Sequence, residues 1–191
     1  GYEHSPEYQA VHLFKTLALV ASTEKISAVA WYEIKDLPPS ENVIGDNDNN
    51  RYLGVAYPDH KPKPSARALQ FFNELFSQKY RKANDKIKVD RTVGSETIVN
   101  AFENEDGSFI VTAWVQTMIP GRNGDDKSGM VVDTRKENIS IQLLANLSGE
   151  VTLYDELGNK KDFSSAEKIG DSFLLKDITL EGGKISVFEV K

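Results

Sequence analysis

The side chains best suited to chemistry lie together in the hexapeptide Trp31-Tyr32-Glu33-Ile34-Lys35-Asp36, directly after the apolar run 26–30. An indole offers a flat apolar face and a carboxylate offers hydrogen-bond acceptors, and together they suit the C–H face and hydroxyl edge of a sugar ring. Because side chains alternate along a strand, Trp31 and Glu33 share one face and Asp36 lies on the other. We predict Trp31, Glu33 and Asp36 as substrate-binding residues.

The same hexapeptide fits a simpler interpretation equally well, in which Trp31 belongs to a core and the charges are solvated. Glu33 and Asp36 would face opposite sides of a continuing strand, so they form a poor acid/base pair. We therefore predict no catalytic residue among them.

Metal and cofactor motifs are weak in this sequence. Cysteine is absent, and His4 and His12 have no carboxylate in register that would complete a zinc site. Residues 46–50 begin like a calcium loop, but Arg51 stands where its glycine belongs and Tyr57 where its glutamate belongs. No phosphate-binding glycine motif and no nucleophile elbow is present. We predict neither a metal nor a cofactor.

The totals narrow the possible partners. The 191 residues carry a net charge of −6, so no basic surface is expected for nucleic acid. No apolar run reaches the roughly 18–20 residues that span a bilayer, and we expect no membrane partner. Asn138 and Asn146 fit the glycosylation acceptor pattern, whose use the sequence leaves open.

The elements that must position the hexapeptide are two helices and a strand. Ser5 as N-cap and Pro6 at the first helical position predict a helix over 5–21, whose wide apolar stripe indicates packing against a large surface. The continuous apolar run predicts a strand over 26–33, covered on both faces. Pro64 predicts the start of a second helix, over 64–80. Between them, segment 37–63 far exceeds the usual loop of roughly 4–6 residues, and loops of that length are usually functional or disordered.

From about residue 97 the pattern changes to short strands separated by turn signals, among them Asp106-Gly107. This spacing predicts an antiparallel β-sandwich, joined to the first part near residues 82–95. We expect a mobile loop over Met118–Asp133. The candidate core residues are Phe102, Ile110, Ala113, Trp114, Ile139, Ile141, Leu143, Val151, Leu153, Phe173, Ile185 and Val187.

The order helix, strand, long loop, helix and sandwich resembles the C-terminal portion of a clan-A glycoside hydrolase, in which a (β/α)8 barrel precedes a small β domain. The resemblance implies an α/β fragment, the terminal part of a TIM barrel, over 1–85 and an all-β antiparallel sandwich over 92–191. The matching residues are Trp31 to Asp36, Tyr52-Leu53-Gly54-Val55, Lys63-Pro64 with Ala66 and Ala68, Ala101-Phe102, Gly107, Ala113-Trp114 and Tyr154-Asp155-Glu156-Leu157-Gly158.

By this resemblance, Trp31 matches the eighth-strand tryptophan that lines the sugar subsite beside the cleaved bond. The family's acid/base and nucleophile glutamates follow the fourth and seventh strands, so both would lie upstream of residue 1, with Gly1-Tyr2 just past the nucleophile. Glu3 and Glu7 match neither position. The implied parent is a retaining hydrolase of oligosaccharides, polysaccharides or glycosides, secreted or otherwise extracytoplasmic.

A barrel takes about 250 residues, so the resemblance also implies a partner: the rest of the barrel, upstream or as another chain. We expect the 191 residues alone to be inactive. The alternative is a non-catalytic carbohydrate-binding or protein-interaction sandwich module, with Trp114 or Tyr154 as its platform. The position of Trp114 in the middle of an alternating strand favours the core instead.

Overall fold

The computed structural model describes residues 5–38, 51–116 and 133–191. The predicted loop over Met118–Asp133, apart from Asp133, and the middle of segment 37–63 lie outside these ranges. The described residues form helices α1 and α2, a short 3-10 helix and ten strands. In chain order these are α1 (Pro6–Thr23), α2 (Pro64–Leu75), β1 (Tyr80–Lys82), the 3-10 helix (Asn84–Lys86), β2 (Ile87–Arg91), β3 (Thr97–Asn104), β4 (Phe109–Val115), β5 (Lys136–Leu143), β6 (Val151–Tyr154), β7 (Lys160–Lys161), β8 (Ala166–Ile169), β9 (Ser172–Glu181) and β10 (Ser186–Val190).

Helix α1 begins as its sequence predicts. The Ser5 hydroxyl accepts a hydrogen bond from the backbone N–H of Tyr8 at 3.1 Å, and proline occupies the first turn. The predicted cap is confirmed.

Helix α2 ends at Leu75, so its predicted extension to Tyr80 is wrong. Tyr80 instead opens β1 and pairs with β3. The rings of Phe76 and Tyr80 lie 5.0 and 5.6 Å from the buried ring of Phe102, in edge-on contact with it. Tertiary packing of these aromatic rings therefore outweighs the helical pattern.

The two helices are neighbours and run parallel. The Ser65 hydroxyl donates to the Gln9 side-chain oxygen at 2.9 Å near the start of both helices. One turn further on, the Phe14 ring lies 5.8 Å from Phe71 and 5.4 Å from Phe72. Both N-termini consequently lie at the same end, and the chain between the helices must travel back along their length.

The strands form two antiparallel sheets, ordered β1-β3-β4-β10-β6-β7 and β2-β5-β9-β8. The β3–β4 hairpin turns at Gly107, whose φ is 84°, as the Asp-Gly signal predicts. The antiparallel β-sheet prediction is confirmed, although sequence reasoning missed the short strands β1, β2, β7 and β8. The core between the sheets includes Phe109, Val111, Ala113, Ile141, Leu143, Phe173, Leu175, Phe188 and Val190.

The six-stranded sheet is covered on its second face as well, by α1 and α2. Every residue of β4 is buried. Ala113 lies in the core between the sheets, whereas its neighbour Trp114 lies in the helix–sheet core. Tyr154 also faces the helices, with its ring 5.2 Å from Phe71. Trp114 is therefore a core residue, and this geometry gives no support to a ligand platform at Trp114 or Tyr154.

The strand predicted over 26–33 is wrong for this structure. Residues 24–34 belong to no helix or strand, and only an isolated parallel bridge joins Lys35 to Ala56. Within the described ranges, the backbone groups of residues 26–32 make no backbone hydrogen bond. A strand needs a neighbour for these groups, and no strand of the two sheets reaches them. The described residues likewise contain no barrel.

Candidate functional site

Two short segments, which we call the rim, lie side by side after the return of the chain: residues 33–37 and residues 51–56. Their pairing places the backbone of Glu33 and Asp36 against the end of the long loop. The rim is held by backbone hydrogen bonds from Val55 to Glu33 (3.2 Å), Ala56 to Ile34 (3.0 Å), Asp36 to Ala56 (2.9 Å) and Leu37 to Arg51 (3.1 Å).

The rim lies at the N-terminal ends of both helices. The Gln9 side-chain amide donates to the carbonyls of Leu53 at 2.9 Å and Gly54 at 3.0 Å, while the Gln9 oxygen accepts from Ser65. The predicted site residues Glu33 and Asp36 therefore lie at the end of the molecule where both helices begin.

Asp36 is fixed within the rim by a buried ion pair. Its Oδ1 lies 2.6 Å from the Lys63 Nζ, and the two side chains are only 2% and 4% exposed. The same oxygen accepts from the backbone N–H of Gly54 at 2.9 Å, and the Lys63 ammonium also donates to the Tyr52 carbonyl at 3.1 Å. Because Asp36 is closed off in this way, the geometry gives no support to its predicted direct contact with substrate.

Gly54 is where the two rim segments approach most closely. A Cβ at this position would lie 2.3 Å from the Asp36 backbone nitrogen and from the Lys35 carbonyl carbon. Only glycine permits this approach without displacing backbone.

Trp31 and Glu33 present a different situation, since each holds a buried polar atom without a partner. Trp31 is half-buried and packs against the helix–sheet core. Its Nε1 and the Oε1 of Glu33 have no hydrogen-bond partner among the residues that the structure describes. Buried polar atoms are nearly always hydrogen-bonded, so such orphans point to a missing group. A hydroxyl could accept from the indole and donate to the carboxylate.

The residues around Trp31 and Glu33 are exposed. Every residue from 23 to 30 is exposed, and Tyr32 and Ile34 are 72% and 79% exposed. Trp31 and Glu33 are therefore partly buried in a stretch that otherwise leaves its apolar side chains uncovered.

Gln9, Gly54 and Lys63 hold the site together. Sequence reasoning used Gly54 and Lys63 only as matches to a family and gave none of the three a role in the site. Their signals are faint: a polar residue beside an apolar stripe, a glycine inside the short apolar run 52–56, and a lysine directly before a helix-starting proline. A buried lysine in particular cannot be recognised without its partner.

Titratable groups away from the rim cluster where α1 meets the sandwich. Burial lowers the pKa of Lys15 to about 8, and its Nζ lies 5.9 Å from the centre of the Trp114 ring. Burial raises the pKa of the Glu156 carboxyl nearby. These shifts arise from packing of the helix on the sheet and not from the rim.

Within the described ranges, no group of three or more His, Cys, Asp or Glu side chains could hold a metal ion. None of the helices in those ranges is long and apolar enough to cross a membrane.

Comparison with known proteins shows a likeness in structure. No protein-family model and no curated protein matches the sequence. A family 39 glycoside hydrolase from the gut symbiont Bacteroides cellulosilyticus WH2 aligns over 95% of this chain and 30% of its own, with 17% identity and a TM-score of 0.57. The chain thus has the fold of a part of that hydrolase and spans less than a third of its length.

Two further solved structures align over 54% of this chain, but their TM-scores are too low to indicate a shared fold. The α-L-fucosidase isoenzyme 2 of Paenibacillus thiaminolyticus has 10% identity over 15% of its chain, with a TM-score of 0.34. The catalytic domain of GH30 xylanase C from Talaromyces cellulolyticus has 21% identity over 20% of its chain, with a TM-score of 0.30.

Proposed function

We propose that this chain is the C-terminal part of a retaining glycoside hydrolase. Residues 1–85 would supply the last helix–strand–helix of a (β/α)8 barrel, and residues 92–191 an accessory β-sandwich. The observation that carries the proposal is the pair of neighbouring parallel helices joined by a returning segment. Parallel neighbouring helices joined through an intervening strand are the repeating unit of β/α barrels.

The length of the return agrees with this arrangement. Helix α1 has 18 residues, which span about 27 Å at about 1.5 Å per residue. Residues 24–32, which we call the return segment, would cover roughly 30 Å if extended at about 3.3 Å per residue. The segment is therefore long enough to run beside the helices as one barrel strand.

The exposed apolar side chains of this region support a missing neighbour. Ile26, Val29, Tyr32 and Ile34 are exposed, and within the described ranges the backbone of residues 26–32 makes no backbone hydrogen bond. An adjacent strand and its apolar side chains would cover these residues and pair with this backbone. We infer that the rest of the barrel covers this segment, either upstream in the same polypeptide or as another chain. The family 39 fold neighbour supports the same arrangement.

The substrate would be an oligosaccharide, a polysaccharide or another glycoside. Trp31 supplies an aromatic face and an N–H donor, and Glu33 supplies an acceptor on the same side. Both orphan atoms gain partners when sugar hydroxyls occupy the site. The chemistry itself needs two carboxylates flanking the bond at about 5–5.5 Å. In the proposal the rest of the barrel supplies them, and this chain binds and orients the sugar.

The experiment uses the native full-length polypeptide with aryl glycosides. Trp31→Ala should lower kcat/KM at least about 10-fold, equivalent to about 1.4 kcal/mol of transition-state stabilisation, with little change in melting temperature. Trp114→Ala is the matched control, because that indole is buried in the helix–sheet core. It should lower stability by about 3–5 kcal/mol and leave kcat/KM of the folded molecules unchanged.

Two results would count against the proposal. Absence of turnover by the native polypeptide on any glycoside class would remove the hydrolase function. A lowered melting temperature for Trp31→Ala with unchanged kcat/KM would make Trp31 a core residue.

A further inference from the structure

The Asp36–Lys63 ion pair, with the Gly54 N–H and the Tyr52 carbonyl, forms a buried polar cluster that we call the clamp. We propose that Asp36 and Lys63 are positioning residues, which hold Glu33 and Trp31 in register for sugar binding without touching the sugar. This inference rests on the proposed function and assigns a role within that site.

The clamp closes a circuit of hydrogen bonds around Glu33. The Glu33 carbonyl accepts from the Val55 N–H at 3.2 Å, and the Val55 carbonyl accepts from the Lys63 N–H at 2.9 Å. The Lys63 ammonium then returns to Asp36, three residues beyond Glu33, at 2.6 Å. Lys63 therefore binds the rim through both its backbone and its side chain.

The circuit is anchored to the helices on two sides. Lys63 is the N-cap residue of α2, directly before the proline that opens the helix. On the other side, the Gln9 side chain ties α1 to the carbonyls of Leu53 and Gly54. A displacement of either helix end would thus be passed to the backbone that carries Glu33.

Stability alone does not account for this pair. A buried ion pair is often no more stabilising than well-packed apolar side chains of similar volume, because both charges lose their hydration. What the clamp supplies is geometry, since two charged groups and two backbone groups meet at fixed distances. Site residues must be held within about 0.5 Å of the productive arrangement, and a misplacement of about 1 Å can cost about 100-fold in rate.

The experiment replaces both charges together in the native full-length polypeptide. A single Lys63→Met change would leave a buried, unpaired carboxylate and could unfold the protein. The Asp36→Leu/Lys63→Met double variant removes both charges and keeps apolar volume, but it also removes the side-chain partners of the Gly54 N–H and the Tyr52 carbonyl. It should therefore fold and melt below wild type, with less loss than the single variant. Its kcat should fall about 10- to 100-fold, while KM changes less, because the docking surface remains but the contacts lose their register.

The matched control lies in the same loop. Asp59 and Lys61 form an ion pair at 2.8 Å whose side chains are exposed. The Asp59→Leu/Lys61→Met variant should leave both kcat and KM unchanged. A nonspecific effect of removing two charges from the loop would move both double variants alike, whereas the melting temperature reports any structural loss in the clamp variant.

The outcomes separate the two proposals. An active wild type whose Asp36→Leu/Lys63→Met variant folds with undiminished kcat overturns the positioning role and leaves the proposed function standing. A wild type without turnover overturns the proposed function, and the positioning role falls with it. A selective loss of kcat in the clamp variant, with the Asp59/Lys61 control unaffected, supports the inference.

Discussion

Strand β4 and the return segment are both apolar, yet the structure treats them in opposite ways. In β4 every residue is buried, and the backbone pairs with β3 on one side and β10 on the other. In the part of the chain that the structure describes, residues 26–32 of the return segment make no backbone hydrogen bond, and several of its apolar side chains are exposed. An apolar run therefore predicts that a segment will be buried. It does not predict that the surface covering the segment lies among the described residues.

The two regions also differ in the contacts that stabilise them. The sandwich supplies the hydrogen-bond partners of its own strands, because each inner strand pairs with a strand on either side. Both faces of the larger sheet are also covered. Besides the backbone hydrogen bonds between its two segments, the rim relies on a few specific contacts: a buried ion pair, a close approach at Gly54 and a glutamine side chain. Loss of one such contact should affect the rim locally, whereas loss of a core side chain should affect the whole sandwich.

The largest expected difference is in hydrogen exchange of backbone amides in this chain. Amides of residues 26–32 should exchange nearly unprotected, because they lack partners in the described ranges. Amides at the centre of β4 should exchange only through global unfolding, which costs about 5–15 kcal/mol in typical domains. Exchange followed by mass spectrometry or NMR would measure both.

The same exchange measurement sharpens the proposal of a missing neighbour. In the native full-length polypeptide, the amides of residues 26–32 should become protected, since a barrel strand would pair with them. Equal exchange in the full-length polypeptide and in the 191-residue chain would contradict that proposal. Strong protection of residues 26–32 in the 191-residue chain would contradict the difference between the return segment and β4.

The next largest effect concerns side chains. Phe188→Ala removes a ring that is fully buried and lies 5.2 Å from the Phe163 ring. It should lower the free energy of unfolding by about 3–5 kcal/mol. Ile34→Ala, at an apolar residue that is 79% exposed, should change it by no more than about 0.5 kcal/mol. Urea denaturation of both variants measures the difference, and comparable losses would break the distinction between the two regions.

Much of the fold could be predicted from local signals. The Ser5 cap, the proline starts of both helices and the Asp106-Gly107 turn act within a few residues, so the sequence displays them directly. Alternation along β4 correctly predicted that Ala113 and Trp114 could not share one face. The structure shows that both are buried because the helices form a third layer.

What escaped prediction depends on distant partners. The pattern of α2 continues to Tyr80, but contact of Phe76 and Tyr80 with Phe102 ends the helix earlier. The clamp joins residues 27 positions apart in the chain, and no local pattern marks such a pair. The contacts of Trp31 and Glu33 with substrate stay predictions, supported by their orphan polar atoms.

A smaller effect is expected from the close approach inside the rim. Gly54→Ala should destabilise by about 1–3 kcal/mol through overpacking, because its Cβ would meet the backbone of Asp36 and Lys35. Gly94→Ala is the control, since its Cβ would have open space and only its φ of 86° is unfavourable, at about 1–2 kcal/mol. Exchange protection of the rim amides should fall only in Gly54→Ala. Unchanged protection of these amides in that variant would contradict the close approach of the two rim segments at this position.

The smallest expected effect tests whether ion pairs at the paired ends of β5 and β9 stabilise the sandwich. Glu181 on β9 is paired in register with Lys136 on β5 and contacts Lys184, and hydrogen bonds to these two cations lower the Glu181 pKa to about 2 from its usual 4.5. A lowered carboxyl pKa contributes stability above pH 4.5, and this stability is lost as the pH falls towards 2. Solvent screening of this partly exposed pair keeps the contribution below about 1 kcal/mol. Urea denaturation should therefore show Glu181→Gln slightly less stable than wild type at neutral pH and equal to it near pH 2. A stability difference that does not depend on pH would show that these pairs contribute through packing and not through charge.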